Sequence, residues 1–201
     1  MSQSRAALIG VSIWRLAVAA SAFTGLGLIL ATGGGFADFA YLTNQGNLAT
    51  GVVFLVLAGY PLVTGRFEPE RRWVRGATAL LMILICVTYL TMLGGDLSHL
   101  RDQLAHFLTP VLVVVDWVAV GSSQARTRWW YPLTWLLPPL AYLGFYVAYG
   151  QRLYGFLDPA APDFPTVVGS FLVALTAVGF LLYGVARLRG LLVRRAVAPA
   201  Q

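Results

Sequence analysis

Six stretches of mostly apolar residues constrain the fold of this chain more than any other feature of its sequence. A helix needs about 20 apolar residues to cross the hydrocarbon core of a bilayer. The six stretches cover residues 6–32, 45–63, 76–94, 98–121, 131–149 and 165–188. Only 11% of the 201 residues are charged and 58% are hydrophobic, which leaves too few charges for a water-facing surface. The sequence therefore predicts an all-α, polytopic integral membrane protein, with residues 1–201 forming a single six-helix transmembrane bundle.

The arginines predict how this bundle is oriented. If the N-terminus is cytoplasmic, only Arg101 and Arg152 fall outside, Arg15 lies within the membrane, and the other basic residues are cytoplasmic. That cytoplasmic set is Arg5, Arg66, Arg71, Arg72, Arg75, Arg126, Arg128, Arg187, Arg189, Arg194 and Arg195. The positive-inside rule favours this arrangement, with both termini cytoplasmic. Such basic loops suit anionic lipid headgroups and need no nucleic acid.

A polar run opens the second apolar stretch, on the side predicted to face outward. Thr43, Asn47 and Thr50 are spaced at 0, +4 and +7, which places them on one face of a helix. In one interpretation Thr43 is a helix N-cap and the amides satisfy free N–H groups. In the other, Thr43 is a nucleophile, and N–H donors with Asn44 or Asn47 hold an oxyanion or the substrate.

A second polar run begins the fourth stretch, which is predicted to start at the same side of the membrane near Ser98. His99, Asp102, His106 and Thr109 are spaced at 0, +3, +7 and +10, one stripe of a helix. His106 would then lie about two turns below the helix start. It is either a polar packing residue or a general base near neutral pH, oriented by Asp102. A threonine hydroxyl needs such a base to act as a nucleophile.

Two charges fall within the predicted membrane spans. Arg15 lies in the first stretch and Asp116 in the fourth, at heights that allow them to meet. Charges at such depth are rare and usually paired. We therefore expect Arg15 and Asp116 to form a structural ion pair.

The fifth stretch combines prolines with tyrosines. Pro138 and Pro139 should bend this helix because proline interrupts the hydrogen-bond ladder. Tyr142 and Tyr146 are spaced to share one face with Tyr149 and are deep enough to line a cavity or bind substrate. The loop that follows, rich in proline and aromatic residues, is predicted to be an ordered cover.

The sequence contains no motif typical of a metal site or a cofactor site. One cysteine, Cys86, and two histidines make neither a paired-cysteine site nor a histidine-rich metal centre. No glycine-rich phosphate loop follows a strand pattern. We therefore expect neither a cofactor nor a metal.

Three short motifs resemble the androgen-induced membrane protein family, which includes hydrolases of fatty acid esters of hydroxy fatty acids, and its bacterial six-helix relatives. These are FAYLTNQGNL, LAHFLTPVLVVVDW and YVAYGQRLYGFLD, in the expected order. The resemblance implies a six-helix membrane fold with Thr43 and His106 as the catalytic pair. The family also has an acidic residue ten positions after the histidine, which corresponds to Asp116. An arginine early in the first helix of the family corresponds to Arg15. The NQGN that follows Thr43 is similar to the bacterial branch, since the hydrolases are more apolar there.

The first functional hypothesis is a membrane-embedded threonine hydrolase whose partner is a lipid or fatty-acid ester. The alternative is a lipid-binding or regulatory membrane protein that uses the same outward-facing polar pocket without turnover. A transporter is a third hypothesis. It is less favoured because the polar groups lie at one leaflet instead of along a path across the membrane. The absence of lysine, with many alanines and glycines, is typical of a GC-rich bacterial genome, so we expect a bacterial plasma membrane. The sequence predicts no oligomeric state.

Overall fold

The computed structural model describes residues 3–33, 35–69, 72–121 and 123–197, the last four without their side chains. All regular structure in these residues is helical, which confirms the predicted all-α class. The helices are α1 Arg5–Thr32, α2 Leu42–Thr64, α3 Trp73–Met92, α4 Leu100–Ala119, α5 Tyr131–Thr134, α6 Leu137–Ala148 and α7 Phe164–Val197. Short 3-10 turns occupy Gly35–Ala40, Ser123–Arg126 and Gly155–Leu157. Of the arginines used to predict the orientation, Arg71 lies outside the described residues, as do the side chains of Arg194 and Arg195.

Five of these helices are long and apolar enough to cross a membrane: α1, α2, α3, α4 and the part of α7 from Phe164 to Val193. Their outer faces carry exposed apolar side chains, such as Ile13, Val63 and Val173, which are 62%, 86% and 72% exposed. Faces of this kind are stable against lipid and costly against water. The chain is therefore an integral membrane protein.

The stretch predicted as the fifth span, 131–149, is divided into two short helices. α5 ends at Thr134, a turn follows at Trp135 and Leu136, and α6 has 12 residues. A proline stands in the first turn of each helix, where its missing N–H costs nothing. The prolines therefore start two helices here, instead of bending one. At about 1.5 Å per residue, α6 alone does not reach across a core of about 30 Å.

The main apolar core lies between α3, α4, α7 and the turn after α5, and α1 and α2 also contribute side chains to it. Trp117 and Trp135 pack edge to face, with ring centroids 5.4 Å apart and almost no exposure. Gly76 of α3 faces the Trp135 ring, and a Cβ atom at this position would lie 2.1 Å from Trp135 Cζ2. A glycine is required here because the tryptophan fills the space that any other side chain would need.

Candidate functional site

The two predicted polar runs meet at one end of the bundle, called the site end here. It is formed by the C-terminal ends of α1 and α3 and the N-terminal ends of α2 and α4. A cavity of about 330 Å³ lies there, and its polar wall includes Asp38, Thr43, Asn44, Tyr89, Arg101, Asp102 and His106. The structure therefore brings Thr43 and His106, which are 63 positions apart in the numbering, to the wall of one cavity.

Thr43 is not the N-cap of its helix, so that interpretation of the sequence was wrong. The N-cap position belongs to Tyr41, which forms no side-chain cap, and Thr43 is the second residue of α2. The Leu42 N–H instead donates to the Tyr154 hydroxyl at 3.0 Å. The Thr43 hydroxyl is half-buried and hydrogen-bonded to no described residue. Because Tyr154 supplies the cap, the Thr43 hydroxyl is left available to a ligand.

His106 is held between an aromatic ring and a carboxylate. Its imidazole stacks on Tyr89, with ring centroids 3.6 Å apart and an angle of 5° between the planes. His106 Nδ1 faces Asp102 Oδ1 at 3.6 Å, an ion-pair distance beyond the length of a hydrogen bond. Asp102 Oδ2 accepts from Arg101 Nε at 3.3 Å. With Nδ1 turned to Asp102 and the residue only 7% exposed, Nε2 is the nitrogen left for chemistry.

The first turns of α4 depart from the α-helical register. α4 begins at Leu100 with His99 in the N-cap position, and residues Gln103–Leu108 form a π-helical segment. Here the Thr109 N–H donates to Leu104 O, five residues back. The Ala105 carbonyl, next in this register, would need an N–H from Pro110, and proline has none. His106 therefore lies in a π-helical segment in which Pro110, four residues later, leaves a carbonyl without a main-chain donor.

Asn47 compensates for this missing donor. Its Nδ2 donates to Ala105 O at 3.2 Å, across the contact between α2 and α4, and to Thr43 O at 2.9 Å. Asn44 Nδ2 likewise donates to the Asp38 carbonyl at 2.7 Å. Both predicted oxyanion donors thus direct their N–H groups at main-chain carbonyls. Their geometry fits the positioning of the main chain better than contact with substrate.

Three buried tyrosines support the start of α2. Tyr142 donates to Ala40 O at 2.9 Å, and the Tyr154 N–H donates to the Tyr146 hydroxyl at 3.2 Å. Burial raises the pKa of the Tyr154 phenol above its usual value, so it remains a neutral hydroxyl. Tyr142 and Tyr146 were predicted as cavity-lining or substrate-binding residues. Tyr142 does line a cavity, whereas Tyr146 is 0% exposed and serves as part of the frame.

A second, apolar cavity of about 100 Å³ adjoins the polar one. Its wall comes from α3, α6, α7 and the loop before α7, with Leu84, Leu143, Phe156, Phe171 and Leu175 among its residues. Thr43, Leu93 and Tyr154 belong to the walls of both cavities. The Thr43 side chain therefore lies at the boundary between a polar and an apolar space.

The two buried charges lie near the opposite end, called the ionic end here. Arg15 Nε and Asp116 Oδ1 are 3.2 Å apart, and the two side chains are 0% and 1% exposed. Arg15 also donates to the carbonyls of Leu57 and Phe67. The guanidinium thus joins α1 to α4 and to both α2 and the loop that follows it.

Sequence reasoning missed two further members of this cluster. Arg75 was assigned to a cytoplasmic loop, but it is 3% exposed and its Nη2 lies 2.7 Å from Asp116 Oδ2. Glu68 pairs with Arg75 and accepts a hydrogen bond from the Ser123 N–H at 2.6 Å. The position of a residue in the order of spans does not reveal whether its side chain points into the bundle. The only signal was that two acidic residues, Glu68 and Glu70, stand among the arginines of this loop.

The fold and cavities define a class: an all-helical integral membrane protein with a threonine and a histidine at a polar cavity that borders an apolar one. No protein-family model, no curated protein and no solved structure matches the chain. Within the described ranges, no three His, Cys, Asp or Glu side chains are grouped as metal ligands would be.

Proposed function

We propose that this protein is a membrane-embedded threonine hydrolase of lipid esters. The observation that carries the proposal is the position of Thr43. Its side chain lines both the polar cavity that contains His106 and the apolar cavity beside it. An ester of a fatty acid has this same division between a polar reacting group and an apolar chain. The acyl chain would occupy the apolar cavity and place its carbonyl carbon beside Thr43.

In the proposed reaction His106 is the general base. Its Nε2 takes the Thr43 hydroxyl proton as Oγ attacks the ester carbonyl, and it returns the proton to the departing alcohol oxygen. Water then attacks the acyl-threonine and loses a proton to His106. The bond between the acyl carbon and Thr43 Oγ breaks, His106 returns the proton to Oγ, and the fatty acid is released. Asp102 faces Nδ1 at 3.6 Å and stabilises the imidazolium that forms in each step. This arrangement follows the general logic of nucleophile, base and orienting carboxylate.

The oxyanion donors are proposed to be main-chain N–H groups at the start of α2. The Thr43 N–H is hydrogen-bonded to no described residue. It belongs to the first turn of a helix, where N–H groups have no partner within the helix and the dipole favours negative charge. The site therefore keeps a donor near the nucleophile even though the Asn44 and Asn47 side chains are engaged elsewhere.

The membrane arrangement proposed with this function has six spanning segments. α5 and α6 together complete the sixth crossing, and both termini lie in the cytoplasm. The distribution of arginines supports this orientation. The site end then faces outward, and a lipid ester enters from the outer leaflet of a bacterial plasma membrane. The resemblance to the androgen-induced membrane protein family supports the same catalytic pair, Thr43 and His106.

The proposal is tested by labelling membranes with a fluorophosphonate probe. We expect the wild type to be labelled at Thr43, Thr43→Ala to be unlabelled, and His106→Ala to react at least about a hundredfold more slowly. Thr50→Ala is the matched control, since Thr50 is a buried threonine of the same helix that lines neither cavity. Undiminished labelling of either site variant would overturn the proposal.

A lipid-binding protein without turnover is the second candidate, and one observation favours it. No hydrogen bond joins the Thr43 hydroxyl to His106 or to any other described residue. Catalytic hydrogen bonds are often formed only once substrate is bound, so this geometry is compatible with both candidates. Mass spectrometry of co-purified lipid separates them. An ester that stays intact during long incubation with the folded protein identifies the binding protein.

A further inference from the structure

The Asn47 amide touches the main chain at both proposed catalytic positions. A single nitrogen, Nδ2, donates to the carbonyl of Thr43 itself and to the carbonyl of Ala105, the residue before His106. Asn47 is 0% exposed, so it cannot reach a substrate in the cavity. Its hydrogen bonds connect the helix of the nucleophile directly to the helix of the base.

This connection exists because the sequence leaves one carbonyl without a donor. Pro110 supplies no N–H, and the Thr109 N–H is used by Leu104 O, so Ala105 O receives neither. α1 packs closely against the π-helical segment at the same point, because a Cβ atom at Gly25 would lie 3.0 Å from Ala105 N. The π-helical segment is therefore held from two sides, by Asn47 on its carbonyl and by the glycine surface of α1.

We infer that Asn47 and Pro110 act together as positioning residues that set His106 relative to Thr43. Pro110 shifts the register and frees the Ala105 carbonyl, and Asn47 ties that carbonyl to the start of α2. The inference rests on the proposed hydrolase function and adds two residues that do not touch the substrate. Attack distances tolerate little error, since a displacement of about 1 Å can cost about a hundredfold in rate.

The first test compares Asn47→Leu with Gln45→Leu in the detergent-solubilised full chain. Gln45 is an amide of the same helical turn whose Nε2 donates to Phe39 O at 2.8 Å, away from the α2–α4 contact. We expect Asn47→Leu to lower kcat toward a p-nitrophenyl acyl ester at least tenfold with KM changed less than twofold. Gln45→Leu should stay within twofold of the wild type. Equal kcat in Asn47→Leu and the wild type would overturn the inference.

Pro110→Ala provides a second variant that should fold even if Asn47→Leu does not. An alanine N–H can restore the α-helical register, which turns His106 away from its present direction. We expect an unchanged or higher melting temperature together with a kcat lowered at least tenfold. A residue that only stabilises the fold would not lose activity while gaining stability. Full activity in Pro110→Ala would contradict the inference.

A chemical readout keeps the inference separate from the proposed function. Diethyl pyrocarbonate modifies histidines, and this chain has two, the exposed His99 and the buried His106. We expect His106 to be modified several times faster in Asn47→Leu, measured by mass spectrometry against His99 in the same sample. If the wild type has no esterase activity but this rate rises, the hydrolase proposal fails and Asn47 still holds His106. If the wild type is active and neither kcat nor the modification rate changes, the inference fails alone.

Discussion

The two ends of the bundle both bury polar groups in a membrane protein, but they differ in how their carboxylates are paired. At the ionic end, all four carboxylate oxygens of Asp116 and Glu68 accept hydrogen bonds. The atoms there without a partner in the described part of the chain include Arg15 Nη2, Ser123 Oγ and Gln124 Oε1. At the site end, His106 Nδ1, Asn44 Oδ1 and Asn47 Oδ1 have no partner in the described residues. A cavity of about 330 Å³ adjoins His106 and Asn44.

The difference follows from what each end has to do. Charges buried away from water must be paired completely, because each unpaired charge costs several kcal/mol. A site for a ligand instead needs side chains whose hydrogen-bonding capacity is not already used. The ionic end is therefore expected to determine stability, and the site end is expected to determine activity. The following predictions, ordered from the largest expected effect to the smallest, each test that division.

Asp116→Asn should cause the largest loss of stability. It leaves Arg15 and Arg75 buried without their shared counter-charge, which costs about 3–5 kcal/mol. Because total stabilities are about 5–15 kcal/mol, we expect a strongly reduced yield of folded protein. Size-exclusion chromatography and thermal unfolding in detergent measure this effect. Asp163→Asn, at an exposed position, is the matched control and should behave as the wild type.

Charge reversal sharpens the same prediction. Exchanging the partners as Arg15→Asp with Asp116→Arg would restore a simple ion pair. Here it should not restore folding, since the new arginine would face Arg75, which now lies 2.7 Å from Asp116. Recovery of folded yield in the double variant would show that Arg75 is not a true member of the cluster.

Gly25→Ala should cost about 1–3 kcal/mol, because its Cβ would press on the π-helical segment at Ala105. Gly27→Ala on the same helix is the control, since nothing lies within 4 Å of a Cβ atom there. That variant should be neutral or slightly stabilised, as expected for alanine in a helix. Thermal unfolding of the two variants side by side decides the matter, and equal melting temperatures would contradict the close contact.

Asp102→Asn tests whether the site end can lose activity without losing stability. Removing the charge that faces His106 should lower turnover about tenfold, or about 1.4 kcal/mol of barrier. The melting temperature should change little, because Asp102 forms no part of the ionic cluster. Steady-state ester hydrolysis and thermal unfolding on the same preparation give both numbers. A variant that unfolds early but turns over normally when folded would reverse the assignment.

Tyr154→Phe should have the smallest effect. It removes the hydroxyl that accepts from the Leu42 N–H and should cost about 1 kcal/mol of stability. Tyr149→Phe is the control. Tyr149 is 73% exposed, so removing its hydroxyl should not change the free energy of unfolding. Thermal unfolding again provides the measurement. A Tyr154→Phe variant as stable as Tyr149→Phe would mean that the start of α2 needs no cap.

Much of the candidate site could be predicted from spacing alone. Successive spans cross the membrane in alternating directions, so the second and fourth stretches begin at the same side. The sequence alone could therefore predict that Thr43 and His106 lie near each other. The depths of Arg15 and Asp116 could be compared in the same way, because helical rise is constant. Arg75 escaped this reasoning, since its position at the start of α3 is equally compatible with a solvated loop.

The sequence by itself determined that the chain enters a membrane, how its apolar stretches follow one another and which polar groups share a side. Those properties depend on length, hydropathy and the constant rise of a helix, which are local quantities. Only the tertiary structure decided that Tyr154 caps α2, that Asn47 holds the carbonyl freed by Pro110 and that Arg75 joins the buried ion pair. Each of these joins residues that are distant in the sequence, and such contacts depend on how the helices rotate and pack against one another. Rotation about a helix axis leaves hydropathy and length unchanged, so these two properties cannot reveal it.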